Sequence, residues 1–354
     1  MDRRIARQRI LVRYDRLSVS AVFLVSAISC APNWGAARPL ELDAWVVYYD
    51  ADRGLAELQE HGGLFDRVSL FAYELDHDGT PTLALGMDQM VAPFLELAAA
   101  ERFEPWVTVV NDVRYSLDSV LAKDSSVVHS LIVDPVRRAA HARDIAARVA
   151  GDGFHGLHLD YERVPESDAV QYQDFVGKLS HELGQRGLGL EILVEPENGP
   201  PPVLSSVRVT VMAYDLFGLH SGPGPRSTPT FVSQLSHQAG LDSQAAAAVA
   251  IAVGGFAWEP SGDVRSLDWS TSHRLASETP SGRRSVVDHV PHVRLRDGTE
   301  IWYEDTESLL SKWRAAWAVG FRRLAIWRLG GNDSTLFNVI RQLRQGTEGG
   351  SQTR

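Results

Sequence analysis

The chain has 354 residues, of which 44% are hydrophobic and 23% charged, a composition that excludes disordered and fibrous classes and allows one large core. Its formal net charge is -10, which argues against a nucleic-acid partner, since a polyanion calls for a basic face. One cysteine, Cys30, rules out a disulfide framework and any cysteine-based zinc site.

Residues 2–16 hold six arginines against two aspartates, and residues 17–29 carry no charge. A basic head followed by an uncharged run too short for a comfortable bilayer span predicts a secretory signal. The run ends Ala27-Ile28-Ser29-Cys30, which resembles the bacterial lipobox, where a small residue precedes a cysteine that is acylated after cleavage. Ala27 stands where that motif usually has leucine. Residues 1–30 are therefore expected to be a signal peptide with Cys30 as a lipidation site, the alternative being simple cleavage nearby. The protein is expected to be exported to the cell envelope or beyond, meeting a membrane only through that anchor. Loss of the leader leaves 29 basic and 43 acidic residues, a net of -14. Residues 31–41 read as a linker.

From Leu42 onward, short β-rich apolar runs alternate with longer stretches of helical periodicity, the pattern of a parallel sheet made of βα units. Eight strands are predicted, at 45–49, 67–73, 105–110, 156–161, 190–194, 207–214, 249–257 and 323–328. Helices are predicted between them, notably at 134–149, 167–183 and 305–317; in the first of these, Asp134-Pro135 supplies an N-cap and a proline at the first turn. No Pro/Gly-rich linker divides the run, so residues 42–345 are predicted to close into one (β/α)8 TIM barrel, an open doubly wound sheet being the alternative. Residues 258–303 read as a small α+β insertion after strand seven, ending in a hairpin that turns at Asp297-Gly298. Residues 346–354, which lack apolar side chains, are expected to be disordered.

Strand four ends His158-Leu159-Asp160-Tyr161-Glu162, and a period of two puts His158, Asp160 and Glu162 on one face. In a barrel that face points inward, with Glu162 at the carboxyl-terminal mouth where such enzymes assemble their sites. Two carboxylates this close do not both ionise freely. One keeps its proton near neutral pH while its neighbour stays charged, the pair that a glycosidic leaving group needs. Inward carboxylates on a central strand are costly, which favours a site over a structural ion cluster. A metal reading uses the same three residues, but catalytic zinc commonly adds a histidine pair at helical spacing, and after His181-Glu182 the second place holds Gln185. No metal or other cofactor is therefore expected. No phosphate-cradling glycine loop and no Gly-x-Ser-x-Gly elbow is present.

The stretch His155-Gly156-Leu157-His158-Leu159-Asp160-Tyr161-Glu162 resembles the strand-four signature Asp-Gly-x-Asp-x-Asp-x-Glu of glycoside hydrolase family 18, the chitinase-like barrels. The last aspartate and the glutamate are kept; His155 and His158 replace the other two aspartates. The resemblance implies Glu162 as general acid and base. It implies Asp160 as the group that holds the substrate's 2-acetamido group while its carbonyl oxygen attacks the anomeric carbon, giving retention without an enzymic nucleophile. Met212-Ala213-Tyr214-Asp215 resembles the strand-six Met-x-Tyr-Asp motif, implying that Met212, Tyr214 and Asp215 contact the reacting sugar. Ile326-Trp327-Arg328 resembles the strand-eight segment whose tryptophan floors that sugar, here Trp327.

Within the family the likeness is to spore-cortex and spore-germination peptidoglycan N-acetylglucosaminidases, on Phe71-Ala72-Tyr73-Glu74, a Gly/Pro loop at 218–225 and the ending Trp327-Arg328-Leu329-Gly330-Gly331. This adds Tyr73 and Glu74 as substrate contacts, and Trp258 is the remaining tryptophan expected to reach substrate. The LysM wall-binding repeat that often accompanies such enzymes is absent. His158 is expected to hydrogen-bond Asp160, whereas His155, of opposite parity, reads as packing; Arg226 and His220 have no assignable role. The expectation is a monomeric glycosidase acting on an N-acetylglucosamine-containing polysaccharide, peptidoglycan or chitin. A sugar-binding protein that has lost turnover is the alternative, motivated by the two histidines.

Overall fold

The computed structural model describes residues 41–116, 119–196, 207–238, 247–279, 283–284 and 288–349. The leader, Cys30 and the end of the tail lie outside the described residues. Eight parallel strands, β1 (Glu41–Val47), β2 (Arg67–Asp76), β3 (Glu104–Ser116), β4 (Gly156–Asp160), β5 (Gly189–Val194), β6 (Arg208–Met212), β7 (Ala248–Ala252) and β8 (Arg323–Trp327), pair in the order 2-1-8-7-6-5-4-3. The β2–β3 pairing closes the ring, so the fold is the (β/α)8 barrel and not an open sheet. Both faces of each strand are covered, which is why the strands read as near-continuous apolar runs. Outward residues pack under the helices in one core. Asp134 caps the helix Pro135–Gly151 by accepting from the backbone N–H groups of Val136 and Arg137, both at 2.8 Å.

The barrel interior is layered. At the bottom, Asp43, Arg67, Glu191 and Arg323 form a buried ion cluster. Above it lies an aromatic layer, with His158 between Trp45 and Trp106 at 5.0 Å ring-centroid distance on each side. The Trp106 indole fits because Gly156 and Gly189 are bare; a Cβ on either would come within 2.5 and 2.7 Å of the ring. The top layer, at the mouth, contains Phe71, Val110, Leu193, Met212, Tyr214 and Trp327.

His158 makes no bond to Asp160, contrary to expectation: neither ring nitrogen has a hydrogen-bond partner among the described residues. Burial pushes its pKa down to about 3 from 6.5, so the ring stays neutral. Between those values the unfolded chain binds the proton and the folded one does not, so stability falls as pH drops through that window. Lowering the pH from 7 to 5 should cost about 2 kcal/mol through this residue. His158→Leu, of similar volume, should flatten the pH dependence of the urea-unfolding free energy by that amount, and an unchanged slope would refute the assignment.

Several boundaries differ from the sequence expectation, the second and third strands running on to Asp76 and Ser116. The first strand begins at Glu41, and Tyr48–Asp50 is a 3-10 turn. The seventh predicted strand is two: β7 ends at Ala252, Gly254 turns the chain at φ +71°, and Gly255–Trp258 joins a separate sheet. That five-stranded antiparallel sheet includes Val264–Leu267, Glu300–Tyr303, Pro291–Arg294 and Arg283–Arg284, and the helix Trp269–Ser277 packs beside it. The last helix runs Ser334–Gly349, through the first residues of the tail expected to be disordered.

Candidate active site

The mouth is built largely by the segments after β3 and β4. β3 overshoots the barrel rim and turns back through the short strand Ser119–Leu121. This return delivers Lys123 over the opening with a left-handed backbone, φ +57°. Its position is pinned twice: its N–H donates to Asp112 Oδ1 at 3.0 Å, and the next N–H, of Asp124, donates to the Asn111 carbonyl at 2.8 Å. Asp124 then caps the helix Ser125–Ile132 through the Ser126 N–H at 2.9 Å. From there Lys123 Nζ reaches Asp160 Oδ2 at 2.8 Å and Glu162 Oε1 at 2.7 Å.

Glu162 lies just past β4. Asn111 clamps its backbone from both sides: the Glu162 N–H donates to Oδ1 at 3.1 Å, and Nδ2 donates to the Glu162 carbonyl at 3.0 Å. Burial, and then the Asp160 charge, push the Glu162 pKa up to about 8, against the opposing pull of Lys123. Glu162 is thus an acid still protonated at neutral pH. Asp160 is 3% exposed, and its Oδ1 is buried with no hydrogen-bond partner among the described residues.

These groups open into a cavity of about 480 Å³ whose walls include Tyr48, Tyr49, Phe71, Tyr214 and Trp327, a size suited to a small ligand or a few sugar units. Trp327, joined to Arg328 by a cis peptide bond, stacks on Tyr214 at 6.3 Å and takes the edge of Phe71 at 5.2 Å. Burial, and then the Asp215 charge, raise the Tyr214 pKa well above 10, so its hydroxyl remains a hydrogen-bond donor. Asp215, at φ +66°, pairs with Arg226 at 3.1 Å. The Arg226 guanidinium lies over the Tyr214 ring at 5.6 Å and donates to the Val253 carbonyl at 3.1 Å, so this loop residue braces the sixth and seventh strand ends. His220 lines the wall. A shallower depression of about 710 Å³ lies among Arg143, Gln173, Asp174 and His181 on the outer helices, away from the strand ends.

Of the residues expected at the site, Glu162, Asp160, Tyr214, Asp215, Trp327 and Met212 line this one cavity. Tyr73 and Glu74 do not. A register shift between Phe71 and Tyr73 breaks the alternation of β2, so Phe71 faces the cavity while Tyr73 turns outward, its hydroxyl on Asp152 and its ring under the Arg148 guanidinium at 5.5 Å. Glu74 is taken up by Arg114 of β3. Trp258 is 6% exposed in the inserted sheet, outside the cavity lining, and its Nε1 donates to the Ser221 carbonyl at 2.9 Å. His158, sunk between tryptophans, does not join Asp160 and Glu162 at the cavity. Among the described residues no group of three or more His, Cys, Asp or Glu side chains is placed to hold a metal ion.

Lys123, Asn111 and Asp112 were not anticipated. Asn111-Asp112 directly follows the apolar run of strand three, the end of a barrel strand at which polar residues point to a site. Lys123 gives no such signal, because its reach depends on the hairpin.

No family model matches the chain, and no curated protein matches it. Solved structures do. The spore cortex-lytic enzyme SleL of Bacillus cereus superposes with a TM-score of 0.74 at 16% identity, over 86% of this chain and 74% of that one. A chitinase from Chromobacterium violaceum gives 0.73 at 18% identity, over 86% and 98%. A class V chitinase from Nicotiana tobaccum, in complex with NAG4, gives 0.71 at 14% identity, over 88% and 99%. The chain therefore has the chitinase-like barrel fold.

Proposed function

We propose that the protein is a glycoside hydrolase that cleaves β-linked N-acetylglucosamine-containing polysaccharide, chitin or peptidoglycan, with retention and assistance from the substrate. The observation that carries this reading is a buried Glu162 beside Asp160, whose buried Oδ1 has no partner among the described residues, both lining an open cavity with Trp327 and Tyr214. Glu162 donates its proton to the glycosidic oxygen as the bond to the leaving sugar breaks. Asp160 Oδ1 accepts the acetamido N–H, aligning the acetamido carbonyl oxygen to form the new bond to the anomeric carbon. The Glu162 carboxylate then takes a proton from the water that opens the oxazolinium intermediate. Trp327 offers a flat face to the apolar side of the reacting sugar, and Tyr214 a hydroxyl donor. The SleL enzyme and the two chitinases share the fold and support the substrate class.

The test is release of reducing ends from chitotetraose and from purified peptidoglycan, with Glu162→Gln as control. Turnover lost in the variant supports the enzyme. Binding without turnover in the unaltered protein would overturn it in favour of the sugar-binding reading that His155 and His158 motivate.

The basic leader and Cys30 lead us to place this activity on the cell envelope. Full-length protein expressed in bacteria should incorporate labelled palmitate and sediment with membranes, and Cys30→Ala should abolish both. Label retained in that variant would remove Cys30 as the anchor.

A further inference from the structure

We propose that Asn111 is a positioning residue that fixes Glu162 for proton transfer by pairing with its backbone as a neighbouring strand would; this deepens the glycosidase reading and rests on it. The geometry starts where the barrel ladder stops. β3 and β4 pair in parallel register as far as Val110 and Asp160, and β4 ends at Asp160, so Glu162 lies two residues beyond the last rung. Arg163, next along, has a left-handed backbone at φ +57°, a strained conformation for a residue that is not glycine. A segment past the ladder and ahead of a strained turn drifts unless something grips it.

The grip is the Asn111 carboxamide. It is 0% exposed, its Oδ1 accepts from the Glu162 N–H at 3.1 Å, and its Nδ2 donates to the Glu162 carbonyl at 3.0 Å. In a parallel pair a residue's N–H and carbonyl both bond to the strand beside it, and here one planar amide, with a donor and an acceptor, takes the place of that strand. Among the described residues the Glu162 backbone bonds to nothing else. The far end of the side chain refers to the same place. Lys123 Nζ lies 2.7 Å from Glu162 Oε1, and the segment carrying Lys123 hangs on this strand end, with the Lys123 N–H on Asp112 Oδ1 at 3.0 Å and the Asp124 N–H on the Asn111 carbonyl at 2.8 Å. Backbone and carboxyl of Glu162 are thus both located from Asn111-Asp112.

The test compares the unaltered protein with Asn111→Ala, each checked by circular dichroism, with Asn111→Ser in reserve should the alanine variant not fold. On chitotetraose, kcat/KM should fall about a hundredfold, the scale of a misplacement of about 1 Å, while the dissociation constant from calorimetry changes less than about threefold. A second substrate separates positioning of the acid from general damage to the site. The dinitrophenolate of 2,4-dinitrophenyl chitobioside departs without a proton, so kcat/KM on it should fall less than about fivefold. A third readout needs no turnover: exchange of the Glu162 amide hydrogen, followed by NMR, should quicken about tenfold or more once its acceptor is gone. Equal losses on the two substrates, a loss under about threefold on chitotetraose, or unchanged amide exchange overturns the proposal. If the unaltered protein hydrolyses neither substrate, the glycosidase reading fails, and the exchange alone still decides whether Asn111 holds residue 162.

Discussion

Glu162→Gln should lower kcat on chitotetraose about a thousandfold, the mid-range contribution of a positioned proton donor and about 4 kcal/mol of transition-state stabilisation. The dissociation constant measured by calorimetry should change less than about threefold, roughly 0.6 kcal/mol. The separation follows from where each function sits. Affinity is assigned to Trp327, Tyr214 and Asp160, none of which the exchange touches. The Asn111 clamp grips the backbone of residue 162, not its carboxyl, so the amide stays in place. What disappears is the proton held near neutral pH by burial and the Asp160 charge. The same assignment fixes a pH dependence: Glu162 must be protonated to act, so kcat/KM of the unaltered protein should fall as pH rises through about 8. A loss under tenfold in the variant, or an alkaline limb far from that value, would remove Glu162 as the acid.

Strand β4 was legible because it is short and regular. On β4 nothing interrupts the alternation from Gly156 to Asp160, so parity alone placed Asp160 inward and Glu162 at the mouth. The closed barrel was legible for a related reason: buried parallel strands leave uninterrupted apolar runs. The resemblance misplaced Tyr73 on β2, where the irregularity next to Phe71 turns it outward, and a bulge leaves no mark in a single sequence. Trp258 was misplaced because Gly254 redirects the chain before a run that looks like one strand. Lys123 was hidden by distance. Its role needs β3 to outrun the barrel, turn and return, and the carboxylates it meets are 37 and 39 residues further along. The elements could be read from local pattern, whereas the charge balance of the site belongs to contacts between them.

The second large effect lies at the other end of the barrel. Glu191→Gln should lower the urea-unfolding free energy at pH 7 by about 3–5 kcal/mol, the cost of leaving a buried charge without its partner. Glu191 is 0% exposed and takes Arg323 at 2.7 Å and Arg67 at 3.4 Å, with the Thr210 hydroxyl on its other oxygen. Asp43 takes the same two guanidiniums at 3.0 and 3.1 Å. The cluster is neutral with two carboxylates and carries a surplus cation with one. Arg208→Gln, at the 43% exposed edge of the network, should cost under about 1 kcal/mol by contrast. The pH dependence distinguishes this account from loss of packing. Burial raises the Glu191 pKa, but Arg323 and Arg67 overcome it and hold the carboxyl below its usual 4.5. Its stabilisation is therefore present above that value and is lost as pH falls further, so the Glu191 part of the gap narrows only below about 4.5. Asp43 works in the opposite sense: burial lifts it to about 6 from 3.8, so its contribution is full below 3.8 and is lost as pH rises through 6. Removing the Glu191 charge lets Asp43 ionise more readily, which returns part of the lost stability and argues for the lower end of the range. A loss under 1 kcal/mol at pH 7 would show that the cluster is spectator packing.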